Sequence, residues 1–253
     1  MEPNRSVDLG IVIQARMSSS RLPGKVLKPF EDGTTILGRL CQQLESMDMP
    51  LIVATTIKEE DDQIEQFASD HGLCCYRGEE WNVLHRFLCA GEQLDTSHFI
   101  RICADNPFFL VDSLHVLIHQ LFQNPGLDYL SFCDQKGIPA IKKHWGLFGE
   151  IVSKKSLRLA HSKTEDPFYL EHVTNFIYGH PQEFSVKLIQ APEQILARDD
   201  LRFTVDNPSD FDNAQALLKL VGNSFSLDRL ISEVDKNSLI QQTMIDNINK
   251  YTK

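Results

Sequence analysis

Between Arg16 and Phe30 the chain carries four cationic side chains, Arg16, Arg21, Lys25 and Lys28, and no acid, although the 253-residue sequence has a formal net charge of −10. A reversal this local asks for an anionic partner. Ser18, Ser19 and Ser20 add hydroxyl donors between the cations, and with backbone N–H groups such a loop suits a polyphosphate. Pro23-Gly24 supplies a turn, because proline presets φ and glycine tolerates a positive φ at the next position. The stretch is not a Walker A loop: Val26 follows Gly24-Lys25, and Ser19 stands where the first glycine of that motif belongs. Taken alone, the same residues also describe a solvated basic surface loop.

A pair of carboxylates bears on that choice. Asp-Asn-Pro occurs twice, at Asp105 and at Asp206, each time directly after an apolar run. Proline disfavours helix at the residue before it, so each motif reads as an extended exit whose carboxylate faces the sheet edge. Magnesium takes one or two carboxylates plus phosphate oxygens and keeps several waters. Asp105 and Asp206 opposite a phosphate loop are therefore a candidate Mg2+ site. Singly, an aspartate in such a sequence more often caps a turn or helix; the duplication favours the metal.

Positioning these groups requires strands that end on one edge. Apolar runs at 9–13, 51–54, 73–76, 98–103 and 127–132 read as strands. Helical spacing follows Thr34-Thr35, runs from 59 to 71 up to Gly72, follows Asn82, and spans about 111–123. This alternation predicts an α/β protein with a mixed, mainly parallel sheet flanked by helices. Ligands of such sheets sit at the carboxyl ends of the strands, where the basic loop, Thr55-Thr56, Arg77 and Asp105 would all lie. Beyond residue 132 the pattern predicts a loop carrying Lys136, Lys142, Lys143 and His144, a strand at 150–152 and a short helix at 156–162. One helix would open at Glu165-Asp166-Pro167 and present Val173, Phe176 and Ile177. An edge strand at 185–190, a last strong strand at 201–205 and helices across 210–221 and 226–253 complete the reading.

Hydrophobic content of 42% and charged content of 24% are ordinary for a folded soluble protein. No apolar window is long enough for a membrane span, and MEPNRSVDLG lacks a signal-peptide core. The expected location is the cytoplasm. Cys41, Cys74, Cys75, Cys89, Cys103 and Cys133 form no C-x-x-C pair and read as reduced thiols. The acidic balance argues against general nucleic-acid binding but leaves room for a focused cationic pocket. No repeat or low-complexity segment divides the chain, which is expected to form a single domain over residues 1–253.

With these residues assembled, the sequence resembles the cytidylyltransferases of the spore-coat polysaccharide biosynthesis type and, more distantly, CMP-Kdo synthetase and acylneuraminate cytidylyltransferase. IVIQARMSSSRLPGKVL is similar to the family's signature loop, and further matches occur at Val53-Ala54-Thr55-Thr56, Arg77-Gly78, Val83-Leu84, Arg86, Arg101 to Pro107, Gly149-Glu150, Glu171-His172-Val173-Thr174 and Leu201 to Asp206. The resemblance implies the nucleotide-diphospho-sugar transferase fold with a Rossmann-like nucleotide half at about 7–132. Sugar-binding and dimerisation elements would occupy about 133–200, and a metal strand with C-terminal helices about 201–253, in a homodimer.

The implied reaction is attack of a sugar hydroxyl on the α-phosphate of CTP, releasing pyrophosphate, chemistry that depends on alignment and charge neutralisation. In this reading Arg16 and Lys25 hold the triphosphate and stabilise the leaving group, Arg21 supports the loop, and Asp105 and Asp206 bind Mg2+. Ala15, Ser18, Thr55, Arg77 and Arg86 match nucleotide-side positions; Glu150, Glu171 and His172 match sugar-side motifs, with His172 a candidate acid/base group. Leu170, Asn175 and His85 depart from the family pattern and bear on the choice of sugar. Lys136, Lys142 and Lys143 would suit an acidic one. Two other readings compete. A glycosyltransferase of related fold would show Asp-x-Asp at a strand end, whereas Asp210-Phe211-Asp212 follows Pro208 at a helix start. A non-catalytic nucleotide-binding protein would have no need of Asp105, Asp206 and Lys25 together.

Overall fold

The central strands bury both faces, and their sequences say why. In β1 (Leu9–Gln14), Ile11 and Ile13 enter one core while Val12 enters another on the opposite side. β2 (Leu51–Thr56) and β4 (His98–Cys103) divide in the same way, with Val53, Ile100 and Ile102 on one face and Ile52, Ala54 and Phe99 on the other. Alternating apolar residues on both faces require helices above and below the sheet. The computed structural model, which describes residues 8–251, supplies them. The MEPNRSV segment of the signal-peptide reading lies outside the described residues.

Seven strands form one sheet in the order β3-β2-β1-β4-β6-β5-β7, with β3 at Cys74–Gly78, β5 at Tyr129–Cys133, β6 at Glu150–Ser153 and β7 at Val186–Gln190. All pairs are parallel except β4–β6 and β5–β6. The mixed, mainly parallel α/β architecture is thus as expected, and β7 is an edge strand, with β3 at the opposite edge. The helices are α1 (Ile36–Leu44), α2 (Asp62–Asp70), α3 (Val83–Glu92), α4 (Val111–Gln123), α5 (Lys154–Lys163), α6 (Pro167–Glu171), α7 (Asn175–Gly179), α8 (Glu193–Leu196), α9 (Pro208–Val221), α10 (Leu227–Asp235) and α11 (Ser238–Lys250). Thr35 caps α1 by accepting from the Gly38 N–H at 3.0 Å, and Asn82 caps α3 through the His85 N–H at 3.0 Å.

Two expected elements differ. Residues 201–205 are buried and extended but form no strand: Phe203 and Val205 donate their N–H groups to the His144 and Asp105 carbonyls, at 2.9 and 2.8 Å, so loops take the ladder bonds. The single helix expected from Glu165 is broken into α6 and α7. His172 caps the end of α6 with ψ 66, outside helical geometry, and the chain turns through Val173 and Thr174 before α7. Gly24 has the positive φ, 72°, that the Pro23-Gly24 turn required. The six cysteines are free thiols, and burial pushes Cys41 up to about 12.

Candidate active site

The basic loop leaves β1 and folds back on itself, the Met17 carbonyl accepting from the Ser19 and Gly24 N–H groups at 2.8 and 2.9 Å. Asp61, wholly buried at the start of α2, holds it from below by accepting from the Met17 N–H at 2.6 Å and the Thr56 N–H at 3.1 Å. The loop then overhangs a cleft of about 330 Å³ at the carboxyl end of the sheet, lined by Ala15, Arg16, Arg21, Lys25, Arg86, Asp105, Glu171, His172 and Asp206. These nine positions were singled out in the sequence, and the fold brings them to one place.

Lys25 is the hub. Its Nζ stands 3.0 Å from Asp206 Oδ1 and 3.8 Å from Asp105 Oδ2, and it donates to the Val205 carbonyl at 2.6 Å. The two Asp-Asn-Pro motifs are joined directly by the Val205 N–H bond to the Asp105 carbonyl. Helix capping at the second motif falls to Asn207, whose Oδ1 accepts from the Asp210 N–H at 3.0 Å, so the Asp206 carboxylate is left to the cleft. Arg202, buried, donates to Asp206 Oδ2 at 2.8 Å and is fixed by Asp210, also at 2.8 Å. Asp210 is consumed in this support, which removes Asp210-Phe211-Asp212 from consideration as a metal motif.

The cleft carries a surplus of positive charge. Among the described residues Arg16 has one long ion-pair contact, 3.9 Å with Glu80, and Arg21 one of 3.7 Å with Asp206 while stacking 4.7 Å over the Tyr251 ring. Burial, and Arg16 nearby, push the Arg86 guanidinium down to about 10. A buried cation beside another cation is stabilised by an incoming anion. Lys28 does not contribute, because its Nζ lies 4.5 Å over the Phe211 ring.

Four residues singled out in the sequence lie off the cleft. Ser18 donates to Glu80 at 2.8 Å, while Ser19 and Ser20 line the cleft instead. Thr55 is wholly buried in β2. Arg77 spends its nitrogens on Asp62, Glu65 and the Thr56 and Lys58 carbonyls, all at 2.6–2.9 Å, tying β3 to the start of α2. Glu150 is 2% exposed and pairs with Arg101 at 2.6 Å, which sets it behind the cleft wall.

A second cavity of about 440 Å³ adjoins the first, and Arg101, Cys103, Asp105 and His172 line both. Its walls include Phe148, Phe168, Tyr178 and Asn175, with Lys142 and Lys143 at the rim; Lys136 is not among the lining residues. Lys143 is paired with Asp199 at 2.6 Å and Asp134 at 3.4 Å, whereas the Lys142 Nζ lies 5.5 Å over the Tyr178 ring with no ion pair among the described residues. Arg101 and Asp61 are the residues that sequence reasoning missed as parts of the site. Arg101 lay inside a matched motif that gave it no role of its own, and Asp61 lay in the acid-rich start of the helical segment read over 59–71.

Among the described residues no cluster of three or more His, Cys, Asp and Glu side chains could hold a metal by itself. Asp105 and Asp206 nevertheless fit a hard divalent ion in chemistry: both are oxygen donors, and both reach a single ammonium, so they converge on one point. Phosphate oxygens and water would complete the shell of such an ion.

A sheet of this topology, with a basic loop over paired carboxylates and an adjoining acceptor-sized cavity, defines a nucleotidyltransferase. The cytidylyltransferase family model matches residues 10–251, and the chain belongs to that family. It is 32% identical over 239 residues to the spore coat polysaccharide biosynthesis protein SpsF of Bacillus subtilis (strain 168), spanning 91% of this chain and 95% of that one. A cytidylyltransferase structure from Leptospira borgpetersenii superposes with a TM-score of 0.82 at 27% identity, covering 94% of this chain and 98% of the other. CMP:2-keto-3-deoxy-manno-octonic acid synthetase, solved with CTP, shares the fold at a TM-score of 0.64 and 16% identity, over 84% and 98% of the two chains. No helix among the described residues is long and apolar enough to cross a membrane.

Proposed function

We propose that this cytidylyltransferase transfers CMP from CTP to the hydroxyl of an acidic sugar in a Mg2+-dependent reaction that serves surface-glycan biosynthesis, and that it works as a homodimer. The observation that carries the reading is Lys25 between the Asp105 and Asp206 carboxylates, in a cleft that opens into a second cavity. The acceptor hydroxyl oxygen attacks the α-phosphorus, the bond to the bridging oxygen breaks, and pyrophosphate leaves with the electron pair. Arg16, Arg21, Lys25 and Arg86 neutralise the triphosphate and the charge that grows on the leaving group. His172, which lines both cavities, takes the proton of the attacking hydroxyl. Asp105 and Asp206 would hold Mg2+, which polarises phosphate oxygens when bound.

Two features support an acidic acceptor: Lys142, at the rim of the second cavity, has no carboxylate partner among the described residues, and Arg101 stands at the junction. The name of the Bacillus relative supports a role in polysaccharide assembly, and the CTP complex of the distant neighbour supports the nucleotide. The test is pyrophosphate release with CTP, UTP, GTP and ATP, with and without Mg2+, against a panel of sugar acids and matched neutral sugars. Release with CTP and an acid alone is expected. Equal use of neutral sugars would overturn the acidic acceptor, and silence with every pair would favour a non-catalytic nucleotide-binding protein.

A further inference from the structure

A polar residue interrupts the buried stripe of α11. Ile240, Met244 and Asn247 recur at helical spacing on its buried face, and Asn247 is 7% exposed. Burying an amide is costly unless it is bonded, and this one donates from Nδ2 to Asp210 Oδ1 at 2.8 Å and to Ser209 Oγ at 2.9 Å. Asp210 also accepts from Arg202 Nε at 2.8 Å and from the Asp206 N–H at 3.0 Å, while Arg202 Nη2 donates to Asp206 Oδ2 at 2.8 Å. One turn after Asn247, Tyr251 ends the helix with its N–H bonded to the Asn247 carbonyl at 3.0 Å. Its ring centre lies 4.7 Å from the Arg21 guanidinium carbon, and Arg21 reaches Asp206 Oδ1 at 3.7 Å. Both carboxylate oxygens of Asp206 are thus connected to one turn of α11, each through an arginine. Neither Asn247 nor Tyr251 lines either cavity.

We propose that the end of α11 is a positioning element for the transfer reaction: Asn247 orients the Asp206 carboxylate through Asp210 and Arg202, and Tyr251 holds Arg21 at the cleft. This rests on the CMP-transfer reading above and adds to it two residues that lie outside the cleft. The Arg21 side chain is 43% exposed, and a long exposed side chain is free to sample many rotamers. An aromatic face against the guanidinium narrows that set and occupies none of its nitrogens, which stay available to phosphate. Asn247 acts on the other oxygen. The Asp210 carboxylate gathers donors from Asn247, Asn207 and Arg202, so loss of the Asn247 amide loosens the group that fixes Arg202 and, with it, Asp206 Oδ2. The two contacts therefore separate by function. Tyr251 bears on nucleotide affinity, and Asn247 on the carboxylate that would hold the metal.

The experiment compares Tyr251→Leu, Tyr251→Phe and Asn247→Leu with the wild type; melting curves check folding, and Asn247→Ala replaces the leucine variant if that one does not fold. Calorimetric titration with CTP in EDTA reads nucleotide affinity, spin-resonance titration with Mn2+ alone reads the carboxylates, and pyrophosphate release reads kcat. Tyr251→Leu should weaken CTP binding about two- to fivefold, the worth of an exposed cation–ring contact, with kcat and Mn2+ affinity unchanged. Tyr251→Phe keeps the ring and should match the wild type. In an Arg21→Gln background Tyr251→Leu should change CTP affinity no further. Asn247→Leu should weaken Mn2+ binding about tenfold and lower kcat, with CTP affinity in EDTA unchanged. A lower Tm with unchanged CTP and Mn2+ affinities would reduce both residues to structural support and overturn the proposal. A Tyr251→Phe protein as impaired as Tyr251→Leu, or an undiminished effect of Tyr251→Leu without Arg21, would overturn the role of Tyr251. A wild type that binds CTP but releases no pyrophosphate overturns the transfer reading instead, and the two binding titrations then decide the positioning roles on their own.

Discussion

Asp105 and Asp206 share one ammonium at 3.8 and 3.0 Å, so replacing either by asparagine removes charge without removing volume. Asp105→Asn and Asp206→Asn should each lower pyrophosphate release at least ~100-fold, a few kcal/mol of transition-state stabilisation, and excess Mg2+ should restore little of it. A decline of less than ~10-fold with both would remove the metal role. Lys142→Ala should raise the acceptor KM several-fold and leave the CTP KM unchanged, whereas Lys136→Ala should change neither, because Lys142 lines the second cavity and Lys136 does not. At this scale the basic loop and the two aspartates that meet at Lys25 were legible because charge reversal and a repeated tripeptide are visible in one dimension. Arg77 and Glu150 were not, since their burial partners, Asp62 with Glu65 and Arg101 with Tyr129, lie on other segments.

The elements bring these residues together at a tight joint beside Gly146. Gly146 has φ 60°, and a Cβ there would meet Asn106 Oδ1, Thr204 Cγ2 and the Thr204 N at 2.9 Å each. Gly146→Ala should therefore disturb the contact between the two Asp-Asn-Pro motifs, costing about 1–3 kcal/mol of stability and activity beyond that, read as a lower Tm with a fall in kcat. An unchanged Tm would show that the joint is slack. Strands and most helices were legible as apolar runs and spacing, and the Pro23-Gly24 turn as its own chemistry. Residues 201–205 misled because an apolar extended run looks the same whether a strand or a pair of loops takes its hydrogen bonds. The break between α6 and α7 carries no glycine, and the proline that would announce it is absent at Asn175; tertiary packing of Val173 and Thr174, both wholly buried, fixes it.

For the whole molecule, stability follows the titration of groups the fold has perturbed. Hydrogen bonds from Thr34, Lys58 and Arg198 hold Asp32, Glu80 and Asp200 below the usual carboxylate range. Depressed carboxylates contribute stability above their unfolded pKa and lose it as pH falls through the folded value, so the steep decline should lie below about pH 4. Burial lowers His98 and His161; the unfolded chain then takes up those protons first, and a shallower loss should begin as pH falls below about 6.5. Tm measured from pH 7.5 to 3.5 should show both arms, with the upper one reduced in His161→Gln. A flat Tm between pH 7 and 5 would contradict the histidine contribution. The layered α/β class was legible from alternation of elements, but the insertion of β6 between β4 and β5, antiparallel to both, was not, because register between distant segments leaves no local mark. That insertion sets Glu150 behind Arg101 and so joins the two cavities. The most direct measurement is pyrophosphate release by the wild type with CTP, Mg2+ and the panel of sugar acids, each beside its neutral counterpart. Release with CTP and an acid, abolished by Asp105→Asn, is the expected result; release independent of the carboxylate, or none with any acceptor, would contradict it.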